Sequence, residues 1–352
     1  MKLEQVRRKL LEQELDAILV TSPYNRRYMT NFTGTAGVAI ITQTEALFIT
    51  DFRYTTQATE EAKEFTVIEH SGLLLDEIAT QLSMHRVANV GFEADDMTYD
   101  QYKTYEAKIN AKLVPLNGFF ASLREIKTLE EIHILEEAAK IADDAFEHIL
   151  TVIKPGILEI DVANELEFFM RRKGATSSSF DTIVASGWRS ALPHGVASQK
   201  KIETGELVTL DFGAYYKGYC SDITRTIAVG DINDQLKEIY DVVLEAQKLG
   251  VANIKAGMTG KEADDTTRYY ITEKGYGQYF GHSTGHGIGL EVHEGPGLSQ
   301  RSSTVLRPNM VVTVEPGIYI PDVGGCRIED DIVITEDGNR IITHSPKELI
   351  IV

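Results

Sequence analysis

Asp211 and Asp222 stand on two runs rich in β-branched and aromatic residues, Leu207 to Tyr216 and Tyr219 to Val229, separated by Lys217-Gly218. A two-residue connection makes these runs a hairpin with Tyr216 opposite Tyr219, which sets Asp211 opposite Thr224. Side chains alternate faces with period two. Asp222 therefore shares the face of Thr224 and lies one diagonal step from Asp211, roughly 7–8 Å away at the Cα. Two carboxylates held side by side in a sheet repel each other unless a cation sits between them or one takes up a proton. Metal is the first hypothesis. Further ligands of suitable type follow in Gly281-His282-Ser283-Thr284-Gly285-His286-Gly287, Val314-Glu315-Pro316-Gly317 and Arg327-Ile328-Glu329-Asp330. Four carboxylates and one imidazole suit a pair of divalent ions in the manganese, iron, cobalt or zinc range, and no cysteine is needed. Asp211, Asp222, Glu315 and Glu329 carry four negative charges, which two divalent ions balance; one bridging hydroxide would leave the cluster near minus one.

The elements that must carry these groups repeat. A helix begins at Thr128-Leu129-Glu130-Glu131, which fits a capping box, and Ile132, Leu135, Ala139, Ala142, Phe146 and Ile149 recur at helical spacing. It stops at Lys154-Pro155-Gly156, because proline disfavours helix in the residue before it. Ile153-Lys154-Pro155-Gly156 then leads into a helical stretch ending at Lys173-Gly174, and Ile254-Lys255-Ala256-Gly257 leads into one ending at Lys274-Gly275, at the same offset. Val208-Thr209-Leu210-Asp211-Phe212-Gly213 resembles Val312-Thr313-Val314-Glu315-Pro316-Gly317, and Cys220 to Asp222 resembles Cys326 to Glu329. An internal duplication would give each half one hairpin with one acid on each strand, and would put the metal pair on a pseudo-twofold axis.

The whole chain narrows the choice. Its 352 residues suggest two domains, with one large α/β unit as the alternative. Residues 1–121 alternate helical patterns with short apolar strands at Ala17 to Thr21, Val38 to Ile41, Ala46 to Ile49, Thr66 to Ile68, Val87 to Val90 and Lys112 to Val114, which reads as a small α/β domain. No chemistry is legible there. Asp51-Phe52-Arg53-Tyr54 reads as a helix start with a solvated face, or as lining for a dimer interface. No run approaches the roughly 20 apolar residues of a membrane span, and the start is an amphipathic helix rather than an apolar signal region. Two cysteines, Cys220 and Cys326, form no disulfide framework and fit a reducing compartment, so a cytoplasmic protein is expected. A formal charge of −18 repels nucleic acid and anionic lipid.

Leu192-Pro193-His194-Gly195, Leu210-Asp211-Phe212-Gly213, Tyr219 to Thr226, His282 to Gly289, Val292-His293-Glu294, Val314-Glu315-Pro316-Gly317 and Arg327-Ile328-Glu329-Asp330 together resemble the pita-bread metallopeptidases. Within them the chain is most similar to the Xaa-Pro dipeptidase (prolidase) and Xaa-Pro aminopeptidase branch. The resemblance implies an α+β fold: a pita-bread (creatinase/aminopeptidase-like) catalytic domain over 122–352 behind the smaller N-terminal α/β domain. It implies that Asp211 chelates the first metal, that Asp222 and Glu329 bridge both, and that His286 and Glu315 complete the second. A hydroxide bridging ions about 3.5–4 Å apart would be the nucleophile. Glu315 would also carry the proton to the leaving nitrogen. His194, His282, His293 and Arg327 would hold the substrate carbonyl, the developing oxyanion and the proline end. The implied reaction is hydrolysis of the Xaa-Pro bond, foremost in Xaa-Pro dipeptides. The alternative is an Xaa-Pro aminopeptidase (aminopeptidase P) acting on longer peptides, and a remote one is a non-catalytic peptide-binding module. Creatinase-like hydrolysis is weaker, because that relative works without this metal set. Manganese is the expected ion, with cobalt or zinc possible. The implied partners are a small proline-containing peptide and a second copy in a homodimer, with neither nucleic acid nor membrane.

Other features have plainer readings. Alternation sends Asp330 to the face opposite Glu329 and returns Asp331 to it, so parity leaves Asp331 open and only the family pattern excludes it. Gly285, Gly287 and Gly289 lack the lysine-serine pair of a phosphate loop and read as glycines that let backbone approach the metal site. Lys200-Lys201 reads as a solvated pair on a loop. Cys220 and Cys326 read as small buried strand residues. Phe180, Trp188 and Tyr215 are candidates for the wall of a proline pocket.

Overall fold

Residues 2–352 are described by a computed structural model, in which the chain divides into two compact units, Met1–Arg124 and Glu125–Val352. In the first unit α1 (Lys2–Glu12), β1 (Ala17–Val20), α2 (Pro23–Thr30), β2 (Val38–Thr42), β3 (Ala46–Thr50), α3 (Thr55–Glu61), β4 (Thr66–Glu69), α4 (Leu74–Met84), β5 (Asn89–Glu93), α5 (Tyr99–Lys108), β6 (Lys112–Leu116) and α6 (Ala121–Arg124) follow in order. The strands make one mixed sheet ordered β4-β3-β2-β1-β5-β6. β1, β2 and β3 are buried along their whole length, which is why they read as unbroken apolar runs. All six expected strands form. The fifth starts at Asn89 instead of Val87, because the Val87 N–H is taken by the Leu82 carbonyl (2.9 Å) where α4 ends. Asp51 to Tyr54 is a turn leading into α3, with Arg53 paired to Asp51 at 2.8 Å.

The second unit holds α7 (Leu129–Ile149), α8 (Glu159–Arg172), β7 (Ser177–Ser178), β8 (Ile183–Ser186), β9 (Glu206–Phe212), β10 (Ala214–Tyr216), β11 (Tyr219–Cys220), β12 (Ile223–Val229), α9 (Asp234–Asn253), α10 (Gly260–Glu273), β13 (Gly285–Gly287), β14 (Glu294–Leu298), β15 (Val311–Val314), β16 (Gly317–Ile320), β17 (Gly324–Arg327), β18 (Asp330–Ile334) and β19 (Asn339–Ile341). The capping box forms as expected: Thr128 Oγ1 accepts from the Glu131 N–H (3.2 Å) and Glu131 Oε2 from the Thr128 N–H (2.7 Å). The periodic residues of α7 are all buried, and Ala142, Phe146 and Ile149 pack in one cluster with residues of α8, β8, β9 and β12.

The two halves of this unit correspond element by element. α8 and α10 each have 14 residues. Gly156 and Gly257 precede them at φ 91 and φ 89. The order β12-β9-β8 in one sheet matches β18-β15-β13 in another, and the hairpin β10–β11 matches β16–β17. In each half a long hairpin leaves one sheet and continues into another. The acids sit where it crosses. Among the described residues no helix is long and apolar enough to cross a membrane.

Candidate metal centre

Lys217 (φ 47) and Gly218 (φ 88) form the two-residue turn that joins β10 to β11. It pairs Tyr216 with Tyr219 and, further back, Asp211 with Thr224. Between those pairs the ribbon pinches. A Cβ at Gly213 would stand 1.8 Å from the Ser221 carbonyl oxygen, so only glycine lets the strands close there. Asp222 follows that pinch, its N–H donating to Asp331 Oδ2 (3.0 Å). In the second half Glu315 comes just after β15 and Glu329 just before β18. Thr224 joins the halves: its carbonyl accepts from the Glu329 N–H (3.1 Å) and its hydroxyl donates to Glu329 Oε2 (2.6 Å).

Asp222, His286 and Glu329 each present a donor atom within 4.8 Å of the others. The Gly287 carbonyl accepts from His286 Nδ1 (3.0 Å), which turns Nε2 inward. That nitrogen lies 3.2 Å from Glu315 Oε1 and 3.8 Å from Asp222 Oδ2. Glu315 Oε1 also accepts from Thr313 Oγ1 (3.0 Å). Asp211 is engaged differently: its Oδ2 accepts from Arg327 Nη2. All five groups line one cavity of about 540 Å³.

The charge balance of this cavity is unmet by protein alone. Asp222 Oδ1 and Glu329 Oε1 are buried and have no hydrogen-bond partner. Burial, and then the neighbouring carboxylates, push both groups well above the ordinary carboxyl range. Glu315 behaves oppositely: burial opposes its charge, but the hydrogen bond from His286 prevails and holds it at about 2. Buried carboxylate oxygens aimed at one another and at an imidazole are suited to divalent cations, which would neutralise the charge and fill the empty acceptor positions. The donor set therefore fits the expected metals.

The other expected site residues also line the cavity. His282 sits between two partners. The Ser283 carbonyl accepts from its Nδ1 (2.8 Å), and burial keeps the ring neutral, so Nε2 accepts from the Tyr319 hydroxyl (2.7 Å). The Tyr319 oxygen in turn accepts from Arg327 Nη1 (2.6 Å). His293 packs 4.4 Å from the His286 ring, with burial and that ring lowering its pKa. His194 lies on the open side beside Pro193, whose carbonyl accepts from Arg327 Nη1 (3.2 Å). Phe180, Ile183, Pro193, Val196 and Val292 supply the apolar wall. A larger opening of about 810 Å³ adjoins and shares His282 and Ser283.

Several expectations need correction. Trp188 is 56% exposed and, like Tyr215, is not part of the wall; only Phe180 of the three is. Lys200 is not a solvated charge: its Nζ is tied to Ser186 Oγ (2.9 Å), the Lys201 carbonyl (2.9 Å) and both Glu206 oxygens (2.8 Å). Gly285 and Gly287 permit close approach of neighbouring strands, not of the metal site, since a Cβ would meet the Thr313 and Gly295 carbonyl oxygens at 1.9 and 2.1 Å. Asp331, left open by parity, is buried behind Asp222, and burial lifts its pKa to about 8. Asp330 faces away, paired with Arg225 at 2.8 Å. A hydroxyl acquires a role only from its neighbours, so the sequence assigns none to Thr224, Thr313 or Tyr319, whose contacts with Glu329, Glu315 and Arg327 come from the fold. Tyr319 had one usable signal, its place four residues after Glu315.

Residues 133–336 match the family described as Metallopeptidase family M24, and residues 2–126 match the Creatinase/Prolidase N-terminal domain. The chain is 66% identical over 352 residues to the Uncharacterized peptidase YqhT of Bacillus subtilis, spanning 100% of both. It superposes on a solved Xaa-Pro dipeptidase from Bacillus anthracis with TM-score 0.99 and 64% identity, covering 100% of this chain and 99% of the other. An X-Pro aminopeptidase from Thermotoga maritima superposes with TM-score 0.93 and 39% identity over 99% of this chain and 100% of the other.

Proposed function

The chain belongs to metallopeptidase family M24, and on that footing we propose that it hydrolyses the bond between a residue and a following proline, acting foremost on Xaa-Pro dipeptides. The observation that carries this reading is the pair of unpartnered buried oxygens, Asp222 Oδ1 and Glu329 Oε1, beside His286 in the apolar-walled cavity. Asp211 would hold a first cation, Asp222 and Glu329 would touch both, and His286 with Glu315 would hold the second. Two bound divalent cations would supply a water activated near neutral pH and a polarised scissile carbonyl. Manganese is the proposed ion, since the set is rich in carboxylates and lacks thiolate.

The chain's own residues do the rest. Glu315, held ionised by His286, would take a proton from the attacking water and pass it to the leaving nitrogen. His194 and His293 offer N–H groups to the substrate carbonyl and to the oxyanion that develops on it. The Xaa-Pro bond is a tertiary amide without N–H, so an enzyme that must hydrogen-bond that hydrogen fails on it, whereas the wall of Phe180, Ile183 and Val292 can accept the ring. A cavity of about 540 Å³ lies in the roughly 300–1,000 Å³ range of small-ligand sites.

The adjoining opening favours a second reading, an Xaa-Pro aminopeptidase, because it gives residues beyond proline somewhere to lie. Product analysis with an Xaa-Pro dipeptide against an Xaa-Pro-Yaa-Zaa tetrapeptide separates them. Higher kcat/KM on the dipeptide is expected, and clear preference for the tetrapeptide would replace the first reading with the second.

A further inference from the structure

Between Tyr279 and β13, Gly281, His282 and Ser283 make no backbone–backbone hydrogen bond among the described residues, so the main chain alone does not fix the segment that carries His282. Side chains of α10 do it instead. Arg268 Nη1 donates to the Phe280 carbonyl (2.9 Å) and Nη2 to the His282 carbonyl (2.6 Å). Asp264 accepts from Arg268 Nε (2.5 Å) and Nη2 (2.8 Å), and also from the Thr284 N–H (2.9 Å). The guanidinium lies 4.2 Å from the Phe280 ring centroid, and that ring stands edge-on to His282. Most of the fork's N–H groups are therefore committed to this one segment.

Acid–base pairs one turn apart are ordinary on helix surfaces. Lys237–Asp241 is one, with side chains 59% and 56% exposed, and it contributes little. Asp264–Arg268 has side chains 0% and 15% exposed. A buried ion pair is a weak stabiliser, because desolvation offsets the attraction, so its use lies in the geometry it imposes.

We propose that Asp264 and Arg268 are positioning residues for the peptidase site, setting the backbone from Phe280 to Thr284 and through it the place and orientation of the His282 imidazole on the cavity wall, where it holds Tyr319. This rests on the reading of the cavity as an Xaa-Pro peptidase site. The His282 ring is pinned at Nδ1 by the Ser283 carbonyl and at Nε2 by Tyr319, and it keeps both contacts only while residues 282 and 283 stay in place. Asp264 alone reaches one ligand as well, since it holds the Thr284 N–H and the Thr284 carbonyl accepts from the Glu315 N–H (2.7 Å), a link that does not pass through Arg268.

The test is Arg268→Lys, which keeps the charge and loses the fork. The variant is expected to fold, to bind the wild-type complement of manganese, and to lose roughly ten- to a hundredfold in kcat/KM on an Xaa-Pro dipeptide. Combined with His282→Ala it should be no worse than His282→Ala alone, because both act through one imidazole. A readout without turnover is the nitrogen–proton correlation spectrum of metal-free, histidine-labelled protein. There His282 should be a single Nδ1–H tautomer in the wild type and a mixture in Arg268→Lys. Should that variant fail to fold, Asp264→Asn, which keeps the Thr284 contact, is measured the same way. Unchanged kcat/KM, losses that multiply in the double variant, or an unchanged tautomer would each overturn the proposal. A wild-type protein inert on Xaa-Pro peptides, with the tautomer still shifting in the variant, would sink the substrate reading and leave the clamp standing.

Discussion

Replacing Thr224 with valine should weaken metal binding without unfolding the protein. The side chain is wholly buried between the two halves of the second unit. Its hydroxyl donates to Glu329 Oε2 (2.6 Å) and accepts from Arg327 Nε (3.2 Å). Valine has nearly the same shape and offers neither bond. Glu329 Oε1 already lacks a partner, so the variant leaves both oxygens of that carboxylate without a side-chain hydrogen bond. A hydrogen bond to a charged group contributes about 1.5–3 kcal/mol. Loss of an outer partner of a metal ligand typically costs about 10–100-fold in affinity, which at 1.4 kcal/mol per tenfold is about 1.4–2.8 kcal/mol. The two estimates agree. They also share a sign, because the lost bond favours the ionised carboxylate, which is the form that binds metal. Titration calorimetry of manganese into metal-free Thr224→Val should show a Kd raised by that factor, with turnover recovered at saturating manganese. A Kd within twofold of wild type would refute the reasoning that Thr224 holds Glu329 for a cation.

Alanine at Asp222 or Glu329 should lose both metal stoichiometry and turnover; elemental analysis showing two ions in a fully active variant would contradict their assignment. Chelation should lower the Tm, since it strands buried carboxylates without a counter-charge, and manganese should restore it in a concentration-dependent way; a calorimetric scan insensitive to chelator would speak against a metal there. Gly213→Ala should destabilise by about 1–3 kcal/mol or more, because its Cβ would fall 1.8 Å from the Ser221 carbonyl oxygen; an unchanged urea midpoint would show that the pinch can relax. Cys220 and Cys326 are buried, and burial raises both thiols to about 12, so thiol reagents at neutral pH should label the native protein only as it unfolds. Rapid native labelling would show the strands to be open.

The sequence carries a great deal of this arrangement because its signals are local. The Lys217-Gly218 turn and period-two alternation suffice to set Asp211 against Thr224, and the structure has that register. Thr128 and Glu131 announce α7 by a reciprocal bond three residues long. The repeated Pro155-Gly156 and Ala256-Gly257 segments mark two helices of equal length. What stays hidden depends on which surfaces meet. Asp264 and Arg268 have the same spacing as the exposed pairs Lys261–Asp265 and Lys237–Asp241, and only the packing of the 280–284 segment tells them apart. Lys200 looks like half of a surface pair until Glu206 folds beside it. Trp188 has the chemistry of a pocket wall, yet its short 3₁₀ turn at Gly187–Ala191 leaves it in solvent.

The central claim is that Asp211, Asp222, His286, Glu315 and Glu329 meet around two divalent cations. The most direct measurement is an anomalous difference map from a crystal grown with manganese and collected at the manganese edge. Two peaks about 3.5–4 Å apart, both within bonding distance of Asp222 and Glu329, are expected. A map without paired peaks among these five residues would contradict the account.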